Sequence, residues 1–78
     1  MKELDVIACL DDFPEEGLIR GQVGTIVHEH VGGTHFEVEF VDRTGHTYAL
    51  ATLPAASLVQ LHFEKVSTKG NSNVGRRD

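Results

Sequence analysis

The chain has 78 residues, a single cysteine and a formal net charge of −5. This length predicts one small domain, and the lone Cys9 excludes an internal disulfide and a cysteine-rich zinc site. The acidic N-terminus lacks the apolar run of a signal peptide, and no stretch approaches the roughly 20 apolar residues that cross a bilayer. We therefore expect a cytoplasmic protein without a membrane partner.

The charge is unevenly distributed. Residues 1–63 carry three basic and ten acidic side chains, a net of −7, whereas residues 64–78 carry four basic and two acidic ones. Nucleic-acid-binding modules usually present a basic face, so the acidic body argues against a nucleic-acid partner. An acidic surface instead favours association with a positively charged protein.

The first predicted strand covers residues 4–10, and its side chains alternate between two faces. One face carries Leu4, Val6, Ala8 and Leu10, and the other carries Asp5, Ile7 and Cys9. The second face is partly apolar, so we expect something to cover it.

Residues 11–20 follow as an irregular, solvated loop, because Pro14 and Gly17 interrupt regular strand pairing. Three of its side chains are too apolar to remain in water together: Phe13, Leu18 and Ile19. We expect them to fold the loop over one open end of the sheet, near the Ile7 and Cys9 side chains.

The central hairpin spans residues 21–41 and turns at Gly32-Gly33. A two-residue turn there places His28 opposite Glu37 and His30 opposite His35. The predicted inward side chains are Phe36, Val38, Phe40, Val23, Thr25 and Val27, and the outward ones are Ile26, His28, His30, His35, Glu37 and Glu39. Gly21 and Gly24 are expected where the strand bends and a Cβ atom would not fit.

The remaining elements complete a small sheet. Residues 42–45 form a second tight turn with Gly45 at positive φ, and residues 46–53 form the fourth strand. Residues 54–57 form one short 3-10 turn, and residues 58–61 form the last strand. The order predicts an all-β fold, a five-stranded SH3-like barrel over residues 1–63, followed by a flexible C-terminal tail over residues 64–78.

Four stretches together carry a family resemblance: LDVIA, DFPEEGLIRGQVGTIV, EVEFVDRTGHTYAL and TLPAASL. Over about residues 1–61 the chain resembles small bacterial and cyanobacterial proteins grouped as a domain of unknown function, number four-nine-two-six. The resemblance implies an SH3-like barrel and no assigned activity. More distantly, the chain resembles the barrels of nitrile hydratase β subunits and of photosynthetic electron-transfer accessory subunits.

Three histidines are the candidate metal ligands. His28 and His30 lie two positions apart on one strand, and His35 lies across from them, which is a workable geometry for a transition metal. We favour an exposed polar strand face, because the sequence supplies neither a fixed fourth ligand nor a second shell. We therefore predict no cofactor and no metal, with His28, His30 and His35 kept as a weak candidate site.

No motif predicts catalysis. Thr25, Thr44 and Ser57 lack a neighbouring base oriented by a third group. Cys9 lacks a basic neighbour in the local sequence that would lower its pKa, so we expect it to pack as a small apolar residue. We predict that the protein is not an enzyme.

The sequence favours a small protein-interaction module whose specific role is unknown. Its predicted partner-binding residues are the loop acids, Asp11, Asp12, Glu15 and Glu16. Small size and acidic charge suggest an immunity- or antitoxin-like binder of a partner protein. The alternative is an accessory, subunit-like barrel that stabilises an enzyme or a metal centre, and a weak homo-oligomer is left open.

Overall fold

The computed structural model describes residues 1–63 and Lys65, and this part of the chain contains no α-helix. Its five strands are β1 (Val6–Cys9), β2 (Val23–His30), β3 (His35–Val41), β4 (Thr47–Pro54) and β5 (Leu58–Gln60). They form one antiparallel sheet in the order β4-β3-β2-β1-β5. The predicted all-β fold is confirmed. The predicted flexible tail lies outside the described residues, except for Lys65.

Three short 3-10 turns connect the strands, at Pro14–Glu16, Val31–Gly33 and Ala55–Ser57. The turn predicted after β4 is confirmed at Ala55–Ser57, and the other two were not predicted. Pro14 has a fixed φ that suits the start of a turn, and Gly17 ends the first turn at a φ of 74°. The connection between β2 and β3 spans four residues rather than two, because β2 ends at His30 and β3 begins at His35. Within this connection Gly32 adopts a φ of 62°, which glycine tolerates.

The core contains buried side chains from all five strands and from the loop between β1 and β2. They are Ile7, Cys9, Leu18, Ile26, Phe36, Val38, Phe40, Ala51, Leu53 and Leu58. In a flat sheet the edge strands β4 and β5 would lie about 19 Å apart, because neighbouring strands are separated by about 4.8 Å. Buried side chains from both edges are nevertheless at most 5% exposed, and no α-helix in the described residues covers them, so the sheet curls around its core.

The hairpin register was predicted correctly near the turn and incorrectly farther along β2. His28 pairs with Glu37 and His30 pairs with His35, as expected. Ile26, however, pairs with Val38, so Val27 is an extra residue in β2, a β-bulge.

Between Val23 and Val27, the bulge reverses the predicted faces of β2. Ile26, expected to point outward, is completely buried, whereas Val23 and Val27, expected in the core, are 47% and 37% exposed. Thr25 is only partly buried. The inward prediction for Phe36, Val38 and Phe40 on β3 is confirmed.

The side of β1 that carries Ile7 and Cys9 faces the core, and Leu4 and Leu10 are exposed. As expected, this side of β1 is covered: Ile7 and Cys9 pack within the core, to which the loop contributes Leu18. The alternating pattern was correct, but it did not show which face is buried.

The loop between β1 and β2 is held closed by its own backbone. Phe13 donates to the Leu18 carbonyl at 2.9 Å, and Leu18 donates to the Phe13 carbonyl at 3.1 Å. Leu18 is buried and Phe13 packs against the core. Ile19, which was expected to pack with them, is 63% exposed, so that part of the prediction was wrong.

Candidate functional site

The loop between β1 and β2 carries four acidic side chains, and all four are exposed: Asp11, Asp12, Glu15 and Glu16. Two hydrogen bonds fix the path of the backbone beside them. The Arg20 backbone N–H donates to Asp12 Oδ1 at 2.8 Å, and the Ile19 backbone N–H donates to Gln22 Oε1 at 2.6 Å. The carboxylate of Asp12 therefore helps to shape the loop, whereas Glu15 and Glu16 lie on its 3-10 turn.

A groove of about 340 Å³ separates this loop from the end of β4. Its lining residues are Asp12, Phe13, Pro14, Glu15, Glu16, Thr52, Leu53 and Pro54. One wall is the loop with three carboxylates, and the other is an uncharged strand end. Phe13, Pro14 and Pro54 give the groove apolar surface next to its negative charge, whereas Leu53 is only 2% exposed.

The carboxylates of Glu15 and Glu16 make no hydrogen bond or ion pair with any other described residue. Like charges on one short turn repel each other unless water or cations solvate them. The groove can therefore accept an apolar side chain and present carboxylates to a cation next to it.

Cys9 lies in β1, immediately before the loop, and is almost completely buried. Burial raises the pKa of its thiol, and the negative charge of Asp11 raises it further. A protonated, enclosed thiol is a poor nucleophile, so the geometry agrees with its expected role as an apolar core residue.

A second, larger hollow of about 540 Å³ lies beside the start of β1 and the end of β5. Its walls include Lys2, Asp5, Phe63 and Lys65. Lys2 and Asp5 are already paired at 3.1 Å, and hydrogen bonds from Lys2 lower the pKa of the Asp5 carboxyl. Because Lys2 and Asp5 already pair with each other, we regard the groove beside the loop as the better candidate site.

The structure places the three candidate histidines next to the turn of the β2–β3 hairpin. The rings of His28 and His30 contact edge to face, with centroids 4.4 Å apart. His30 Nε2 lies 3.8 Å from Glu37 Oε1, and His35 Nδ1 lies 3.1 Å from the Thr34 hydroxyl. Within residues 1–63 and 65, no three His, Cys, Asp or Glu side chains are arranged to hold a metal ion.

The turn between β3 and β4 is organised by Asp42. Its Oδ1 accepts hydrogen bonds from the Thr44 hydroxyl at 2.7 Å, the Thr44 N–H at 2.9 Å and the His46 N–H at 3.0 Å. These bonds, chiefly the one from the Thr44 hydroxyl, lower the pKa of the Asp42 carboxyl. Gly45 closes the turn at a φ of 89°, as predicted. The exposed Arg43 therefore projects from a well-defined turn.

Sequence reasoning identified the acids of the site but missed its second wall, Thr52–Pro54. The alternation along β4 contains no sign that its end lies beside residues some 40 positions earlier in the chain. The one local hint was Phe13-Pro14, an aromatic residue and a proline placed directly between two pairs of acids.

No helix in the described part of the chain is long and apolar enough to cross a membrane. Neither the curated proteins nor the solved structures contain a significant match to this chain. The sequence model of one family, described as "Domain of unknown function (DUF4926)", matches residues 3–60. That match covers most of the chain and includes all five strands, so the protein belongs to this family of domains of unknown function.

Proposed function

We propose that the protein is a small non-enzymatic interaction module that binds a positively charged, partly apolar segment of another protein. The groove between the acidic loop and the end of β4 is the binding site. The observation that carries this proposal is the groove's composition, in which the carboxylates of Asp12, Glu15 and Glu16 lie beside the apolar side chains of Phe13, Pro14 and Pro54.

The chemistry of the groove selects its ligand. Carboxylates without internal partners attract lysine or arginine, and exposed charges of one sign accelerate association with the opposite charge. The apolar wall adds burial, which contributes about 25 cal/mol per Å² of apolar surface removed from water. A partner segment that alternates basic and apolar side chains satisfies both walls. An immunity- or antitoxin-like binder that neutralises a basic protein is one form of this function.

The test uses charge reversal at positions that do not support the fold. Glu15→Lys combined with Glu16→Lys removes the negative rim and leaves Asp12 in its structural hydrogen bond. The matched control is Glu3→Lys with Glu29→Lys, two exposed carboxylates on other elements that give the same change in net charge. Wild-type, rim-reversed and control proteins are immobilised in parallel, and proteins captured from the source organism are identified by mass spectrometry.

A basic protein that the wild type and the control retain, and that the rim-reversed variant loses, supports the proposal. Its association rate with the wild type should fall as salt is added, and rim reversal should flatten that dependence. Equal capture by all three proteins would place the binding surface elsewhere.

A further inference from the structure

The two edges of the sheet are very different. β5 is an edge of only three residues, whereas β4 is an edge of eight residues, Thr47–Pro54, that pairs with β3 on one side only. Proteins usually protect an edge strand by keeping it short or by placing charged side chains along it. β5 is protected because it is short. β4 contains no charged residue, and Pro54 interrupts only its last position.

The side chains of β4 also differ from those of an ordinary solvated edge. Leu50 is 55% exposed and Tyr48 is 47% exposed, at the middle and the start of the strand. A long, uncharged edge with exposed apolar side chains can pair with a further strand through its backbone.

We infer that β4 pairs antiparallel with β4 of a second copy of the chain, so that two sheets join edge to edge. A two-fold axis through the middle of the strand, near Leu50, makes the contact self-complementary. The neutrality of β4 matters here, because two copies that each carry a net charge of −5 repel each other along most other surfaces.

Charge complementarity at the two ends of β4 indicates that its partner strand comes from a second copy of the chain. In an antiparallel pair, the start of β4 in one copy lies beside the end of β4 in the other. The turn before Thr47 exposes Arg43, which makes no hydrogen bond or ion pair with another described residue. The end at Pro54 borders the groove that carries Glu15 and Glu16.

Pairing therefore brings the exposed Arg43 of each copy to the unpaired carboxylates of the other, twice by symmetry. The Asp42 carboxylate is held by hydrogen bonds within its own turn and forms no ion pair with Arg43, so the Arg43 guanidinium remains available to a partner. The inference adds a self-association surface to the proposed function. It does not depend on the binding of a foreign partner.

Sedimentation equilibrium of the full chain tests the backbone contact. The wild type should dimerise, and Leu50→Lys, which places a charge on the exposed edge, should raise the dimer Kd at least about tenfold. Val59→Lys is the matched control, because Val59 is 41% exposed on the opposite edge strand. Its Kd should stay within about threefold of the wild type. Thermal melts confirm that both variants are folded.

A charge swap tests the orientation of the pair. Arg43→Glu should raise the Kd about tenfold, and the same charge change at Lys2→Glu, far from β4, should change it by less than about threefold. Combining Arg43→Glu with Glu15→Arg and Glu16→Arg should restore association toward the wild-type Kd. Failure of the triple variant to recover affinity would contradict the antiparallel arrangement.

Two other results overturn the proposal. One is a wild type that remains monomeric up to about 1 mM, and the other is a dimer that Leu50→Lys and Val59→Lys weaken equally. The monomeric Leu50→Lys variant separates this inference from the proposed function. It retains the acidic groove and should capture the same basic protein as the wild type, whereas Glu15→Lys with Glu16→Lys should lose that protein.

Discussion

Strand β2 consists of two halves on either side of Val27, a mostly apolar half (VGTI) and a polar half (HEH). In the first half, Gly24 and Ile26 are buried against β3. In the second half, His28 and Glu29 are exposed, and the register follows the turn at Gly32-Gly33. The extra residue at the bulge separates two registers that the alternation of side chains cannot distinguish.

The comparison shows that one strand can have a core half and a surface half. In the first half, Gly24 lies close to β3 and the Ile26 side chain is fully buried. In the second half, the polar histidines contact each other and Glu37 without any burial of a charge. Substitutions in the first half should therefore affect stability, and substitutions in the second should have little effect.

The largest expected effect is at Phe40, whose buried ring faces the first half of β2 close to Gly24. Phe40→Ala should lower the free energy of unfolding by about 3–5 kcal/mol, because it removes buried apolar surface and leaves a cavity. For a small domain this is a large share of the total stability. Urea denaturation followed by circular dichroism measures the change. A loss below about 1 kcal/mol would show that this part of the core is not packed as described.

A pair of substitutions across the bulge tests its position. Ile26→Ala should cost about 2–5 kcal/mol, because the side chain is fully buried. Val27→Ala removes an exposed side chain and should cost less than about 1 kcal/mol. The two variants are compared by chemical denaturation under one set of conditions. Equal costs, or a larger cost at Val27, would contradict a bulge at Val27.

Gly24→Ala tests the close approach of β3 directly. A methyl group at Gly24 would lie 2.6 Å from Val38 Cγ1, 2.9 Å from the Glu39 carbonyl oxygen and 2.9 Å from Phe40 Cδ2. Because one of these atoms belongs to the backbone, the strands must move, and overpacking of this kind costs about 1–3 kcal/mol. The melting temperature of the variant should fall accordingly. An unchanged melting temperature would show that β2 and β3 are farther apart at this position.

The smallest effect is expected in the second half of β2. His28→Thr and His30→Thr keep a residue suited to a strand and should each change the free energy of unfolding by about 0.5 kcal/mol or less. Denaturation with and without added zinc measures both stability and metal binding. Zinc that stabilises the wild type, but not the double variant, would make the histidines a metal site after all.

Some features were predictable because they depend on local chemistry. Gly45 is needed at positive φ, and the glycines after Val31 terminate β2 where the hairpin must turn. Phe36, Val38 and Phe40 alternate without interruption in β3, which has no bulge between them, so their burial followed from the pattern alone. The acids of the candidate site could be identified for the same reason, since their clustering is visible in the sequence.

The tertiary structure decided the features that depend on which surfaces meet. Alternation shows which side chains share a face but not which face is covered, so the burial of Ile7 and Cys9 required the curled sheet. The bulge at Val27 and the close approach of Gly24 to β3 are both features of the pairing between two strands, so neither can be read from β2 alone. The apolar wall of the groove arises in the same way, because folding brings the end of β4 beside the acidic loop. A local sequence pattern cannot predict these long-range contacts, because it includes only one of the two segments that meet in each contact.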